Sequence, residues 1–196
     1  MIEPRTRRRE IDEVASELFG ANGYAATSVR DIARALDIQG ASLYAHVASK
    51  EDVLWSIVDR AASAFEAGAE RALIETPDAD PTERLAALVE AHVETITANP
   101  QRSSVFVTEW RHLSGARRAT ISARRDVYEA RFRSTIETGV SVGAFHAMDP
   151  AIASTFLLTA LNGISTWYRP DGRLSPDRIA DHYIELALHS LSEDHR

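Results

Sequence analysis

Two short runs near the N-terminus, residues 29–33 and 42–46, have the spacing of two short helices joined by a tight turn. The second of two such helices can read DNA when small or polar side chains on its exposed face reach base edges in the major groove. The side chains expected to face outward are Gln39, Ala41, Ser42, Tyr44 and His46. Gln39 suits adenine and Ser42 is permissive, so these two are the candidates for base contacts. By itself the pattern fits a DNA-reading unit or a plain three-helix unit.

The helices that must hold this unit are marked by apolar stripes and stop signals. The first helix is expected to end at Asn22-Gly23, and Thr27 is expected to cap the second. Asp37 lies in the tight turn, where its short side chain tolerates a left-handed backbone. Ser49 and Asp52 have the spacing of a capping box that opens a long fourth helix. The apolar wedge beneath the two short helices consists of Val29, Ile32, Ala33, Ile38 and Leu43.

Helical periodicity continues through the rest of the chain, without a credible pair of strands. One helix is expected over residues 105–113, and a long helix is expected to end near Gly139. Further boundaries are marked at Asn99-Pro100, Ser114-Gly115, Asp149-Pro150 and Ser175-Pro176. The sequence therefore predicts an all-α protein of about nine helices. A helix-turn-helix head over residues 1–50 is expected to precede a larger helical-bundle body over residues 51–196.

Charge and composition narrow the class of protein. The net charge of −7 at first argues against a nucleic-acid partner. Residues 1–50, however, carry about as many basic as acidic side chains, so the acidic excess lies in the body. A near-neutral head can still contact phosphates, because salt screens distant charges within about 10 Å. The absence of cysteine excludes disulfides and thiolate chemistry, and with no visible signal peptide it favours a cytoplasmic location.

An enzyme is the main alternative from another class of protein. The sequence contains no HExxH, GxSxG, phosphate-loop or dinucleotide-binding glycine pattern. Glu109 and His112 form one Glu-x-x-His pair of the di-iron type, but such a site needs two pairs and further glutamates. The sequence therefore predicts no catalytic residue, no metal site and no cofactor.

Residues 151–168 form a long uncharged run that approaches the length of a membrane-spanning helix. Its hydroxyl and amide side chains and Gly163 suit a helix buried in a bundle or at a dimer contact better than a helix in lipid. A helix that is apolar nearly all round needs one partner within its own body and another outside it. Together with the apolar stripe of the last helix, the run predicts a homodimer formed by the last two helices and no membrane span.

The signals over residues 8–60 closely resemble, in order and spacing, the N-terminal domain of the TetR family of transcriptional regulators. The matching runs are Leu18-Phe19, Gly23-Tyr24, Thr27-Ser28-Val29, Ile32-Ala33, Ser42-Leu43-Tyr44-Ala45-His46 and Ser49-Lys50-Glu51-Asp52-Val53-Leu54. The resemblance implies a homodimer whose recognition helices enter successive major grooves of a palindromic operator.

The same resemblance implies phosphate contacts from Thr27 or Ser28, from Tyr44 and from Lys50, the only lysine in the chain. Hydroxyl and amide groups at helix starts bind phosphate well, which agrees with these positions. Two alternatives stay open at this point: Lys50 as an ordinary solvated charge, and Tyr44 as a core aromatic residue with a wet hydroxyl.

The body has more aromatic area than a plain bundle needs, with a few polar groups beside its apolar stripes. Apolar walls with a few polar groups suit a ligand pocket, although aromatic residues at helical spacing are as often plain core. His92 by itself is more often a satisfied core histidine. The candidates for ligand contacts are His92, Phe106, Trp110, Arg124, Tyr128, Asn162, Trp167 and Arg169.

Part of the body also resembles a TetR branch that represses genes for the degradation of sterol fragments, fatty acids or aromatic acids. The runs that carry this likeness are residues 109–113, 124–129, 143–145 and 162–175, with Gly139. It implies release from DNA on binding an acyl-coenzyme A thioester, whose polyanionic end would need guanidinium contacts. For each arginine a salt-bridged helix surface stays open as an alternative. A different hydrophobic effector, or none, stays open for the protein.

Overall fold

The computed structural model describes residues 4–146 and 148–192, and within them it contains nine α-helices and one short 3-10 helix. The prediction of an all-α protein is confirmed. The helices are α1 (Pro4–Asn22), α2 (Val29–Ala35), α3 (Gly40–Tyr44), α4 (Lys50–Glu75), α5 (Pro81–Ala98), α6 (Pro100–Thr108), the 3-10 helix (Trp110–His112), α7 (Gly115–Ser141), α8 (Pro150–Trp167) and α9 (Pro176–Leu191). The single helix expected over residues 105–113 is wrong, since α6 ends at Thr108 and a separate 3-10 helix follows.

The chain divides into two compact units. The head unit comprises Met1–Ala62 and Gln101–Ser122, and the body unit comprises Ser63–Pro100 and Ala123–Arg196. The head unit thus includes the first half of α4, most of α6, the 3-10 helix and the start of α7. Both α4 and α7 contribute residues to each unit. The functional division at residue 50 stays a prediction.

The residue that caps the start of α2 lies one position later than the sequence predicts. Ser28 is the cap: its Oγ accepts the N–H of Asp31, and the Asp31 carboxylate accepts the N–H of Ser28. Thr27, predicted as the cap, is buried, and its hydroxyl donates to the carbonyl of Gly23 at 3.0 Å. The prediction is wrong because Ser28 has the extended backbone that directs its side chain at the third amide of the helix, whereas the Thr27 hydroxyl is bonded to carbonyls before the helix.

The turns around the short helices follow the sequence signals closely. Gly23 has φ of 82°, and its N–H donates to the carbonyl of Phe19, which ends α1 as predicted. Asp37 has φ of 52°, which confirms the left-handed turn expected there. At the start of α4, Ser49 Oγ accepts the N–H of Asp52 at 3.0 Å, so half of the predicted capping box forms. The other half does not, because the Asp52 carboxylate pairs with Arg8 at 2.9 Å.

The head unit is held together by a small apolar core. Of the five residues of the predicted wedge, Ile32 and Ala33 from α2 and Leu43 from α3 are buried, whereas Val29 and Ile38 are half-buried. Ile32, Ala33 and Leu43 share the interior of the unit with the buried residues Ile11, Ala15, Phe19, Val47, Val53 and Leu54. Because α3 has only five residues, burial of Leu43 must supply much of what holds this helix in place.

In the body unit, α8 and α9 pack on α5 and still leave apolar side chains on the surface. Leu161 and Ile164 of α8 are buried, whereas Ile152 and Phe156 of the same helix are 70% and 65% exposed. On α9, Leu186 is 67% exposed. Within the residues that the structure describes, none of the helices has the length and apolar character needed to cross a membrane.

Candidate DNA interface and effector site

The residues on and beside α3 that the sequence predicts to face outward are exposed. Ala41, Ser42, Tyr44 and His46 are all exposed, and Tyr44 is 57% exposed, so the alternative of a core aromatic is wrong. Gln39 is also exposed, and although it occupies the capping position of α3, its side chain makes no capping bond. These side chains therefore form one accessible set around a helix that Leu43 anchors. Their role toward DNA stays a prediction.

The two hydroxyl groups proposed for phosphate contact lie in different surroundings. Thr27 is 3% exposed, and its hydroxyl donates to the carbonyls of Gly23 and Leu18. Ser28 is exposed, and its hydroxyl donates to the Asp31 carboxylate at 2.6 Å. Hydrogen bonds from Ser28 hold the pKa of Asp31 below its usual value. Of the two hydroxyls, that of Ser28 is therefore the accessible one.

Lys50 is bound to the loop between α1 and α2. Its Nζ donates to the carbonyls of Tyr24 and Thr27, each at 2.8 Å, and lies 4.1 Å from the centre of the Tyr24 ring. The alternative of an ordinary solvated charge is therefore wrong. An ammonium has three N–H groups, so two backbone bonds leave one donor and the full positive charge for another partner. The phosphate contact implied for Lys50 stays a prediction.

Tyr24 is the centre of a second group of contacts in the head unit. Its ring lies 5.2 Å from that of Phe19 and 5.2 Å from that of His112. Its backbone N–H donates to the Glu109 carboxylate at 3.1 Å, and that carboxylate also lies 3.4 Å from His112 Nε2. Burial is the main cause that raises the pKa of Tyr24. Glu109 and His112 thus stabilise the head unit through their contacts with Tyr24. In the described part of the chain, no cluster of His, Asp or Glu could hold a metal ion.

The start of α4 is also tied to the segment that begins α7. The Glu51 carboxylate accepts the backbone N–H of Ser114 at 3.1 Å and its hydroxyl at 2.9 Å, and these bonds lower the pKa of Glu51. Arg117 contacts the Asp52 carboxylate at 3.3 Å. Sequence reasoning missed these contacts, because side chains more than sixty positions apart leave no local pattern.

In the body unit, His92 and Tyr128 meet within an aromatic cluster. His92 Nδ1 lies 3.0 Å from the Tyr128 hydroxyl. The Phe65 ring lies 4.9 Å from that of His92, and the Phe132 ring lies 5.6 Å from that of Tyr128. Burial, with a smaller contribution from Arg125, lowers the pKa of His92 to about 3, so the imidazole is neutral near pH 7. Burial also raises the pKa of Tyr128, whose hydroxyl therefore keeps its proton.

The second ring nitrogen of His92 is buried and has no hydrogen-bond partner among the described residues. The only partner described for the Tyr128 hydroxyl is His92 Nδ1, so the favoured arrangement has the hydroxyl donating to Nδ1. In that tautomer Nε2 carries the proton and is a donor without an acceptor. A buried polar group left in this state costs about 1–3 kcal/mol.

The other residues predicted for ligand contacts lie elsewhere. Phe106 is buried in the head unit, where Trp110 also lies. Arg124 binds both oxygens of Glu66 at 2.7 Å, as in the alternative of a salt-bridged surface. Asn162 lies half-buried on α8.

The end of α8 carries the last two of these residues, and both are exposed. Trp167 is the final residue of the helix, and Arg169 follows it in the next turn. Arg169 donates to the carbonyl of Tyr168 at 2.9 Å.

An apolar groove runs between α8 and α9 in the body unit. It encloses about 310 Å³ and is lined on the α8 side by Ile152 and Phe156 and on the α9 side by Ala187 and Leu191. Its lining is overwhelmingly apolar and lies on the surface where the sequence predicts a dimer contact.

Comparison with known proteins gives two family matches. Residues 11–57 match the model described as bacterial regulatory proteins, tetR family. Residues 78–191 match the model described as tetracyclin repressor-like, C-terminal domain. Together the two matches cover both the helix-turn-helix and most of the body.

Individual relatives agree with these matches. The chain is 32% identical over 194 residues to the HTH-type transcriptional repressor KstR2 of Rhodococcus jostii, covering 96% of this chain and 93% of the relative. The structure of the ketosteroid transcriptional regulator KstR2 of Mycobacterium tuberculosis is similar, with a TM-score of 0.89, 28% identity and 96% of each chain covered. The structure of AibR in complex with isovaleryl coenzyme A and operator DNA is also similar, with a TM-score of 0.79, 31% identity, and 92% of this chain and 97% of AibR covered.

Proposed function

Since the chain belongs to the TetR family of bacterial regulatory proteins, we propose that an acyl thioester of coenzyme A releases it from its operator. The chain is a TetR-type transcriptional repressor, and regulators of this family bind operator DNA, form dimers and are not enzymes. The proposal concerns the effector, the residues that contact DNA and effector, and the dimer surface. It assigns DNA binding to residues 1–50 and effector binding and dimerisation to residues 51–196.

The proposed DNA contacts divide into two kinds. Gln39 and Ser42 read base edges, with the exposed residues Ala41 and His46 near them in sequence. Tyr44 and Ser28, together with the remaining N–H of Lys50, contact phosphates. Thr27 acts indirectly in this scheme, because its buried hydroxyl and its carbonyl hold the loop to which Lys50 binds.

The proposed dimer surface is formed by the exposed apolar side chains of α8 and α9. Ile152, Phe156 and Leu186 are each about two-thirds exposed, an arrangement that a monomer in water disfavours. A two-fold axis through this surface would pair α8 and α9 with their copies in a four-helix contact. The two recognition helices would then reach half-sites about 34 Å apart.

The observation that carries the effector proposal is the unpartnered Nε2 of His92. A donor held inside an aromatic cluster matches a ligand that is apolar but carries one hydrogen-bond acceptor. The carbonyl oxygen of a thioester is such an acceptor. The structural similarity to AibR, which was solved with isovaleryl coenzyme A and operator DNA, supports the same class of ligand.

The proposed mechanism is a shift between two populations, one that binds the operator and one that does not. Effector binding would favour a different position of α4, whose first residues hold the loop before α2 through Lys50. Glu51 and Asp52 tie the same end of α4 to Ser114 and Arg117, so a change in its position would be passed to these residues as well as to the loop. A tenfold loss of operator affinity requires a coupling free energy of only about 1.4 kcal/mol.

The test is a gel shift on the DNA that flanks the gene of this protein. We expect isovaleryl coenzyme A or a longer acyl thioester to release the DNA, whereas coenzyme A alone and the matched free acid leave it bound. The matched variant His92→Leu should bind DNA normally and need a higher thioester concentration for release. Release by free acids or aromatic compounds would support a different hydrophobic effector. Unchanged binding across the whole panel would contradict the effector proposal and leave a regulator that responds to no compound tested.

A further inference from the structure

A second pocket in the body unit has a different chemistry. It encloses about 240 Å³ beside the start of α5 and the second half of α7. Two arginines, Arg84 and Arg131, line it together with the hydroxyl-bearing residues Ser134, Thr135 and Thr138. No carboxylate lines this pocket among the described residues.

The charges of both arginines lack a counter-ion in the described part of the chain. Arg84 Nε is buried and has no hydrogen-bond partner there, and no ion pair of this residue is described. Arg131 donates to the backbone carbonyl of Glu66 at 3.0 Å, which is a neutral acceptor. The Glu66 carboxylate does not compensate Arg131, because both of its oxygens bind Arg124 at 2.7 Å.

The acidic residue that precedes α5 does not neutralise the two arginines of this pocket. Asp80 precedes the lining residue Pro81, but its carboxylate accepts the backbone N–H groups of Thr82 and Glu83 as the cap of α5. Two half-buried guanidinium groups in one pocket repel each other, and burial strengthens that repulsion. An arrangement of this kind is stabilised when an anion occupies the pocket.

We propose that this pocket, defined by Arg84 and Arg131, binds the phosphate group of a phosphate ester or diphosphate. A single carboxylate is satisfied by one guanidinium fork, whereas a phosphate offers enough oxygens to accept from two forks at once. The hydroxyls of Ser134 and Thr138 now donate to carbonyls of their own helix, and a hydroxyl can turn to donate to a ligand instead. The inference is independent of the proposed thioester response, since the site can bind phosphate whether or not an effector releases DNA.

Isothermal titration of the full-length protein at low salt tests the site with two probes, inorganic pyrophosphate and adenosine 3′,5′-bisphosphate. We expect at least one probe to bind, and Arg84→Gln to weaken that binding about tenfold or more. The matched control is Arg71→Gln, which removes an exposed arginine of the same unit that is paired with Glu94. It should leave binding unchanged. Circular dichroism of both variants establishes that they are folded.

The outcomes separate the possible sources of the phosphate. Binding of both probes with the same loss in Arg84→Gln supports a site for phosphate in general. Binding of the bisphosphate alone supports a site for a nucleotide end such as that of coenzyme A. No binding of either probe, or equal weakening by Arg84→Gln and Arg71→Gln, overturns the proposal. The gel shift with acyl thioesters is a separate measurement, so failure of one proposal does not imply failure of the other.

Discussion

The start of α4 in the head unit and the sites around His92 and Arg84 in the body unit use their polar side chains differently. In the head, Lys50, Glu51 and Asp52 each make hydrogen bonds to partners far away in the sequence. In the body, the buried Nε2 of His92 and the buried Nε of Arg84 have no partner among the described residues. The start of α4 is therefore held in place by its own bonds, whereas the body unit contains two buried nitrogens with no hydrogen-bond partner among the described residues.

This difference suits a protein that must present a fixed surface at one place and respond at another. A helix of only five residues, such as α3, cannot hold its own position, so surrounding contacts must preorganise it. A sensing site gains selectivity in the opposite way, because a buried donor without an acceptor rejects any ligand that cannot supply one. Substitutions at Lys50 and His92 distinguish a head unit fixed by its contacts from one that is not, and a sealed body site from one that is open to water.

The largest expected effect is that of Lys50→Met, which keeps the side-chain length and removes the ammonium. Two charge-assisted bonds to the loop and the proposed phosphate contact are lost, so operator affinity should fall about tenfold to a hundredfold. The slope of log affinity against log salt concentration should become shallower by about 1. Fluorescence anisotropy at several salt concentrations measures both quantities.

The control for charge alone is Arg118→Met, at an exposed position of the head unit. It should change affinity much less than Lys50→Met does. Equal losses in the two variants would contradict the special role of Lys50. If Lys50→Met lowers the affinity for DNA but leaves its salt dependence unchanged, Lys50 acts through its bonds to the loop and does not contact a phosphate.

The next effect concerns the dependence of stability on pH. The pKa of His92 falls from its usual 6.5 to about 3 in the folded protein, so below pH 6.5 the unfolded chain binds a proton that the folded chain does not. Stability is therefore lost as the pH falls from 6.5 toward 3, by up to about 1.4 kcal/mol per pH unit. Between pH 7 and pH 5 the contribution of His92 should be about 2 kcal/mol.

Urea unfolding of the wild type and of His92→Leu at both pH values and one protein concentration measures this contribution. The variant should lose about 2 kcal/mol less than the wild type between pH 7 and pH 5. Parallel losses in the two proteins would show that His92 takes up its proton in the folded state, and hence that the ring is not sealed from water.

The two regions also differ in how much the sequence could predict. In the head, local signals were sufficient for the left-handed Asp37, the stop at Gly23 and the exposed face around Ser42. The error at Thr27 was one residue, because hydroxyl residues at 27 and 28 both suit a cap and only the folded contacts of each hydroxyl separate them.

In the body, the sequence predicted aromatic residues but not how they are used. His92 was identified, yet its bond to Tyr128 depends on the packing of α5 against α7, which no local pattern encodes. Arg84 was missed, because an arginine on an amphipathic helix looks like a solvated charge until the missing counter-ion is seen. Arg124 looked equally available, and its partner Glu66 lies 58 positions away.

A smaller effect should follow from breaking the bond between His92 and Tyr128. Tyr128→Phe removes one partner and leaves Nδ1 of His92 buried without a donor, which should destabilise the protein by about 1–2 kcal/mol. The double variant His92→Leu/Tyr128→Phe removes both polar groups and should regain most of that loss. The double-mutant cycle in urea measures the coupling. Additive losses would show that the two side chains do not interact, and the contrast between the units would weaken accordingly.

The smallest expected effect concerns the cap of α2 in the head unit and tests whether Ser28, and not Thr27, is the capping residue. Ser28→Ala removes the side-chain acceptor for the Asp31 N–H and should cost about 1 kcal/mol of stability. Thr27→Val is the matched control, because it removes the hydroxyl of the neighbouring residue without touching the cap. Hydrogen exchange distinguishes the two, since only Ser28→Ala should speed exchange at the Asp31 amide. Faster exchange in Thr27→Val alone would mean that Thr27 is the cap in solution, and that the loop held by Lys50 shifts by one residue relative to the structure.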